Sequence, residues 1–252
     1  MQSLGYLIAG NWKMNGLAAE AAALAAGVAA GAGQAPKGVE LLVCPPAPHL
    51  SVVRDALAGA AVRLGAQDCH TEVSGAFTGD VSAEMLADMG CSHVIVGHSE
   101  RRDGHGEGDA LVWRKASAAL RAGLAAIVCV GETEQERLAG QAEETVARQV
   151  RGSVPDGVDG AKVAVAYEPV WAIGSGRTPT VAEIAAVHKT MRRALVELLG
   201  PEKGASVRLL YGGSVKPGNA KEILAIDNVE GALIGGASLK AEDFLAIAAA
   251  AA

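Results

Sequence analysis

Aromatic side chains are scarce in this sequence, which holds three Trp, three Tyr and two Phe among 252 residues. A core must therefore be packed from Ala, Val, Leu and Ile, which suits parallel strands buried under alanine-rich helices. Excess positive charge is missing as well. With a net charge of −6, the chain offers no basic surface to nucleic acid or to an anionic membrane, and an anionic ligand has to be held by local groups. The four cysteines, Cys44, Cys69, Cys91 and Cys129, form no C-x-x-C and have no paired-histidine spacing. Neither a metal site nor a disulfide framework is expected, and free thiols fit a reducing compartment. No basic stretch followed by a long apolar run opens the chain, and the closing "AIAAAAA" is too short to cross a bilayer and reads as a helix end. The expectation is a soluble, cytoplasmic protein. Also lacking is a G-x-G-x-x-G after the first apolar run, where Asn11-Trp12-Lys13 stands instead; this argues against a doubly wound dinucleotide-binding sheet.

What is present is alternation. Short apolar runs recur at Tyr6–Ala9, Glu40–Val43, Val62–Ala66, His93–Val96, Ala125–Val130, Lys162–Tyr167, Val207–Tyr211 and Gly231–Ile234. Stretches with helical periodicity, such as Val181–Leu199, lie between them. Two capping-box starts, Thr133 with Glu136 and Thr180 with Glu183, mark helices that follow a strand and a loop. Eight strand-then-helix units with no linker or compositional break predict one α/β domain over residues 1–252, a closed (β/α)8 barrel. Reactive groups in such a barrel come from the C-terminal ends of the strands.

Read at those ends, the sequence puts "GNWKMN" with Asn11 and Lys13 after the first run, and "VGHSERR" with His98 and Glu100 after the fourth. A lone lysine is most often a solvated surface group and a lone histidine most often structural; position at a strand end is what lifts both. Backbone N–H groups of a helix starting beside His98 disfavour its imidazolium form and keep the ring neutral. "CVGETEQER" follows the fifth run: Cys129 reads as a small buried hydrophobe, and Glu132 as a cap or an orienting group. "YEPVWAIGSGRTPT" follows the sixth. There Glu168 reads either as a salt-bridged carboxylate or as a base on a rigid strand end, with Pro169 stiffening the entrance to a loop and Gly174 and Gly176 letting backbone N–H groups approach a ligand. Such a loop can shut out water as a lid. The seventh and eighth runs each end in Gly-Gly, "YGGSV" and "LIGGASL", the arrangement by which these barrels bind a phosphate.

In order and spacing these segments, with "GAFTGDVS" (Gly75–Ser82), closely resemble the triosephosphate isomerase family over nearly the whole chain. The resemblance implies a cofactor-independent isomerase that interconverts dihydroxyacetone phosphate and glyceraldehyde 3-phosphate. It implies Glu168 as the base, His98 as the group polarising the carbonyl, Lys13 positioned with Asn11 as the source of positive charge, and Glu100 and Cys129 as supports, Glu100 from behind the site. The phosphate would be held by N–H groups of Gly174, Ser214, Gly235 and Gly236. A homodimer is implied too: Thr71–Gly79 matches a loop that enters the partner subunit, Thr78 would lie near the partner's Lys13 and His98, and Phe77 would otherwise be exposed. Three departures stand out. Ser175 takes the place of the usual Thr. Pro179 offers no N–H to the hydroxyl of Tyr211, which puts a closed-lid latch in doubt. The stretch Arg102–Asp109 is rich in glycine and lacks an aromatic, which puts its packing against the partner in doubt.

The nearest rival is an isomerase of a four-carbon ketose phosphate, which turnover on both substrates would separate. A Schiff-base aldolase would want a lysine where Glu168 stands. A silent phosphate binder has no use for a positioned base.

Overall fold

The computed structural model describes residues 5–173 and 177–251. Its strands are β1 (Tyr6–Asn11), β2 (Val39–Cys44), β3 (Val62–Ala66), β4 (His93–Val96), β5 (Ala125–Val130), β6 (Val163–Tyr167), β7 (Arg208–Tyr211) and β8 (Gly231–Ile234). They pair in chain order, all parallel, and β8 closes onto β1 through Leu7↔Gly231 to Gly10↔Ile234. The chain is a (β/α)8 barrel. Every expected strand is present. β1 runs on to Asn11, while β6 starts later than expected because Gly160–Lys162 forms a 3-10 turn capped by the Asp159 side chain.

The strands read as continuous apolar runs because both of their faces are buried. Side chains alternate between them. Leu7, Ala9, Leu42, Cys44, Ile95, Ile127, Cys129, Ala164, Ala166, Leu210 and Leu233 fill the bore as one cluster. Their neighbours, among them Ile8, Val43, Val94, Val128, Val165 and Leu209, pack outward against the helices. The same alternation, counted backwards, puts Glu40, Arg63, His93 and Arg208 at the N-terminal rim. Glu40 pairs there with Arg63 at 3.4 Å and Arg208 at 3.3 Å. Counted forwards, it sets what faces the C-terminal mouth.

The helices carry their own boundaries. Val181–Leu199 opens with a reciprocal cap: Glu183 Oε2 accepts the Thr180 N–H at 2.7 Å and Thr180 Oγ1 accepts the Glu183 N–H at 3.3 Å. It stops at Gly200, whose φ of 85° favours glycine, and Pro201 follows. Thr133 and Glu136 cap Glu134–Leu138 in the same way. Ile184, Val187, Met191 and Leu195 form the stripe that packs on the barrel. Among the described residues no helix is long and apolar enough to cross a membrane.

Candidate active site

Positions 7, 9 and 11 share one phase of β1, and 164, 166 and 168 share one phase of β6. Since Leu7, Ala9, Ala164 and Ala166 point into the bore, Asn11 and Glu168 continue those rows and face the mouth. Both are buried. Past Asn11 the backbone turns sharply. Lys13 has a φ of 51°, a left-handed conformation that costs an L-residue on the order of 1 kcal/mol or more. Two side chains hold it there: Asn11 Oδ1 accepts the Lys13 N–H at 3.0 Å, and Gln67 Nε2 donates to the Lys13 carbonyl at 2.8 Å. Lys13 Nζ then reaches Glu100 Oε1 at 2.6 Å.

His98 ends β4's excursion and caps the helix Ser99–Gly104. Its Nδ1 accepts the Glu100 N–H at 3.2 Å. A nitrogen that accepts a backbone N–H carries no proton, so the ring holds its proton on Nε2. That Nε2 lies 2.8 Å from Glu168 Oε1, and the other carboxylate oxygen accepts the Ser99 N–H at 2.9 Å. Burial alone would raise the Glu168 pKa. The contact and hydrogen bond from His98, the Ser99 N–H and the charge of Lys13 outweigh it and hold the carboxyl below the usual carboxylate range. Glu168 is thus ionised at neutral pH although it is almost wholly buried.

Opposite this pair lie the ends of β7 and β8. The cavity they share with Asn11, Lys13, His98 and Glu168 measures about 720 Å³ and is rimmed by Gly212, Ser214, Gly235 and Gly236. Asn219 shapes the first rim segment by accepting the Lys216 N–H at 2.8 Å and donating to the Ser214 carbonyl at 3.0 Å. Ser238 folds the second by donating its hydroxyl and N–H to the Gly235 carbonyl at 2.7 and 2.8 Å. The N–H groups of Ser214, Gly235 and Gly236 are left without a backbone acceptor among the described residues. An ionised base, a neutral imidazole N–H, a lysine and a row of amides thus share one mouth, a layout suited to proton abstraction beside a carbonyl on a phosphorylated substrate.

Comparison with known proteins points the same way. A family model described as triosephosphate isomerase matches residues 6–251. This chain belongs to the triosephosphate isomerase family. The triosephosphate isomerase of Afipia carboxidovorans is 62% identical to it over 244 residues, 97% of this chain and 96% of that one. That of Ruegeria pomeroyi is 58% identical over 244 residues, with 97% and 96% covered. The crystal structure of triosephosphate isomerase from Bartonella henselae matches with a TM-score of 0.89 at 47% identity, covering 97% of this chain and 98% of that one. As a member of the triosephosphate isomerase family the chain is an aldose–ketose isomerase, an intramolecular oxidoreductase.

Asn11, Lys13, His98 and Glu168 converge as the strand ends suggest. Glu100, whose side chain is 55% exposed, lines the cavity and meets Lys13 Nζ at 2.6 Å. Cys129 lies in the bore, where burial and then the Glu168 charge push its thiol well up. Gly174, with Ser175 and Gly176, lies outside the described residues. Phe77 and Thr78 sit on an exposed loop. Phe77 is 41% exposed and leans on His70 with ring centroids 4.1 Å apart. The glycine-rich Arg102–Asp109 stretch is anchored by Glu107, which is buried and accepts from Arg101 at 2.8 Å and Lys115 at 2.6 Å.

One position, Gln67, escapes a reading of strand ends alone, and the two readings of Glu132 are resolved. Gln67 follows Gly65 in the inward phase of β3 and so reaches Lys13, a signal present in the alternation. Glu132 is fully buried and holds the segment after β6: its Oε1 accepts from Trp171 Nε1 at 2.8 Å, Tyr167 OH at 3.1 Å and Arg137 at 2.7 Å. Glu132 therefore orients neighbours, and Glu136 does the capping.

Proposed function

We propose that the chain, as a single (β/α)8 domain, interconverts dihydroxyacetone phosphate and D-glyceraldehyde 3-phosphate through an enediolate, without a cofactor, in the cytoplasm as a step of glycolysis and gluconeogenesis. Glu168 takes the proton from the carbon beside the carbonyl and returns it to the adjacent carbon. To do so its carboxylate leaves the Ser99 N–H and His98, and the substrate's oxygen takes its place at His98 Nε2. His98 polarises that oxygen and moves protons between the two substrate oxygens. Lys13, set by Asn11, balances the negative charge that develops. Ser214, Gly235 and Gly236 receive the phosphate through their N–H groups, with Gly174 as a further donor, and a grip on the phosphate keeps the enediolate from expelling it.

The observation that carries this reading is the buried, ionised Glu168 at 2.8 Å from an imidazole nitrogen whose proton is assigned by the Glu100 N–H on the other side. A coupled assay with glyceraldehyde 3-phosphate tests it. Glu168→Asp, which withdraws the carboxylate by one methylene, is expected to lower turnover by ~100-fold or more while KM stays within a few fold. Near-normal turnover in that variant would remove the base from Glu168. The same assay with a four-carbon ketose phosphate separates the rival substrate.

We further propose a homodimer. Met14, Val73, Phe77 and Met85 are between 41% and 94% exposed. Met14 also lines a cleft of about 260 Å³ together with Gln67, Cys69 and His70, beside the exposed loop. A second copy of this chain would cover these apolar groups and bring its own Phe77 and Thr78 to the region of Lys13.

A further inference from the structure

Val130, the last residue of β5, still pairs with the neighbouring strand's continuation by accepting the Glu168 N–H at 2.7 Å. One residue on, Gly131 has run off the ladder, and among the described residues its N–H and C=O have no backbone partner. A single side chain takes both. Gln149, on the helix Ala142–Ser153, accepts the Gly131 N–H at 2.6 Å and donates its Nε2–H to the Gly131 carbonyl at 3.0 Å. Both residues are buried. On its other side Gly131 lies flat against the base, for a Cβ there would run into the carbonyl oxygen of Glu168.

Packing alone does not fix this backbone. A cavity of about 530 Å³ adjoins Glu168, lined by Gly131, Gln149, Val170 and Ile173 among others. The Val130 and Glu132 carbonyls tie the base segment through the Glu168 N–H at 2.7 Å and the Val170 N–H at 3.2 Å, and Gly131, which lies between those two carbonyls, takes its own hydrogen bonds from Gln149. We infer that Gln149 is a positioning residue for the isomerisation: its amide fixes Gly131, and Gly131 fixes the backbone from which Glu168 projects. Gln149 touches no reacting atom. It acts through the accuracy with which the carboxylate meets the substrate carbon, where a misplacement of about 1 Å can cost ~100-fold in rate. The inference rests on Glu168 being the base.

Gln149→Met tests it, because methionine keeps length and volume and removes both hydrogen bonds. The expected result is a loss in kcat of about tenfold or more with KM within about twofold, since the phosphate rim on β7 and β8 is untouched. Combined with Glu168→Asp, the two losses overlap and the double variant is less impaired than their product, because a base already drawn back gains little from an accurate backbone. A role confined to stability would lower the thermal midpoint and leave both kcat and that overlap unmoved. If Gln149→Met does not fold, Gln149→Asn, which keeps the amide one methylene short, carries the same measurements. A folded variant with full kcat, or losses that multiply cleanly with those of Glu168→Asp, overturns the inference and leaves the base in place. Full turnover in Glu168→Asp itself overturns the base, and the inference with it.

Discussion

The hydroxyl of Tyr211 is buried without a hydrogen-bond partner among the described residues, and burial pushes its pKa up. Gly213 lies close against it, for a Cβ at 213 would meet the Tyr211 oxygen. A buried hydroxyl without a partner costs roughly 1–3 kcal/mol. The residue that could have latched onto it, at position 179, is a proline without an N–H. Tyr211→Phe is therefore expected to leave kcat/KM within about threefold of the parent and to raise, or not lower, the thermal midpoint. Steady-state assays and a melting curve check both. Residue-scale function was legible where chemistry and position coincide: Glu168, His98 and Lys13 each carry a charge or a titratable group directly past an apolar run. Gln149 was not legible. A glutamine in the middle of a helix carries no sign of what it will meet, and its target, the unpaired backbone of Gly131, exists only once β5 and β6 have paired.

At the scale of elements, the helix Val181–Leu199 carries a charge-sensitive group into the core. His188 on that helix is fully buried; its Nδ1–H donates to the Asn228 carbonyl at 2.7 Å, and its ring stands nearly perpendicular to that of Tyr167 with centroids 6.0 Å apart. Burial lowers its pKa from 6.5 to about 4, as it does for His93 in β4. The folded protein keeps both rings neutral while the unfolded chain protonates them near 6.5. Stability that is full above that pH is therefore lost as the pH falls from 6.5 through about 4. Each ring contributes up to ~3 kcal/mol to that loss. Replacing His188 by Gln should flatten the slope of unfolding free energy against pH by about one proton over this window, and denaturant titrations at several pH values measure it. The elements themselves were largely legible, because β-branched runs bounded by glycine and capping boxes name strands and helix starts locally. Strand ends were less so: Asn11 belongs to β1 only because it pairs with Cys44, a partner far along the chain.

For the whole molecule, the proposed dimer makes the active site dependent on concentration. If Phe77 and Thr78 of one copy brace the region of Lys13 in the other, then Phe77→Asp, which puts a charge into an apolar seam, should shift the molecule toward monomers and lower turnover at dilution. Light scattering across a dilution series, with activity assayed in parallel, gives both quantities. A dimer that persists unchanged in that variant speaks against this face as the interface.

The bore of the barrel has a further meaning for the thiols it encloses. All four cysteines are buried, Cys44 and Cys129 within the barrel itself. Burial pushes Cys91 to about 11 and Cys69 to about 12, and it raises the two thiols in the bore as well. Neither oxidants nor alkylating agents find a thiolate to attack while the barrel is closed. The sulfur atoms act as a record of opening, since a chain marked at Cys129 is one whose strands have already come apart.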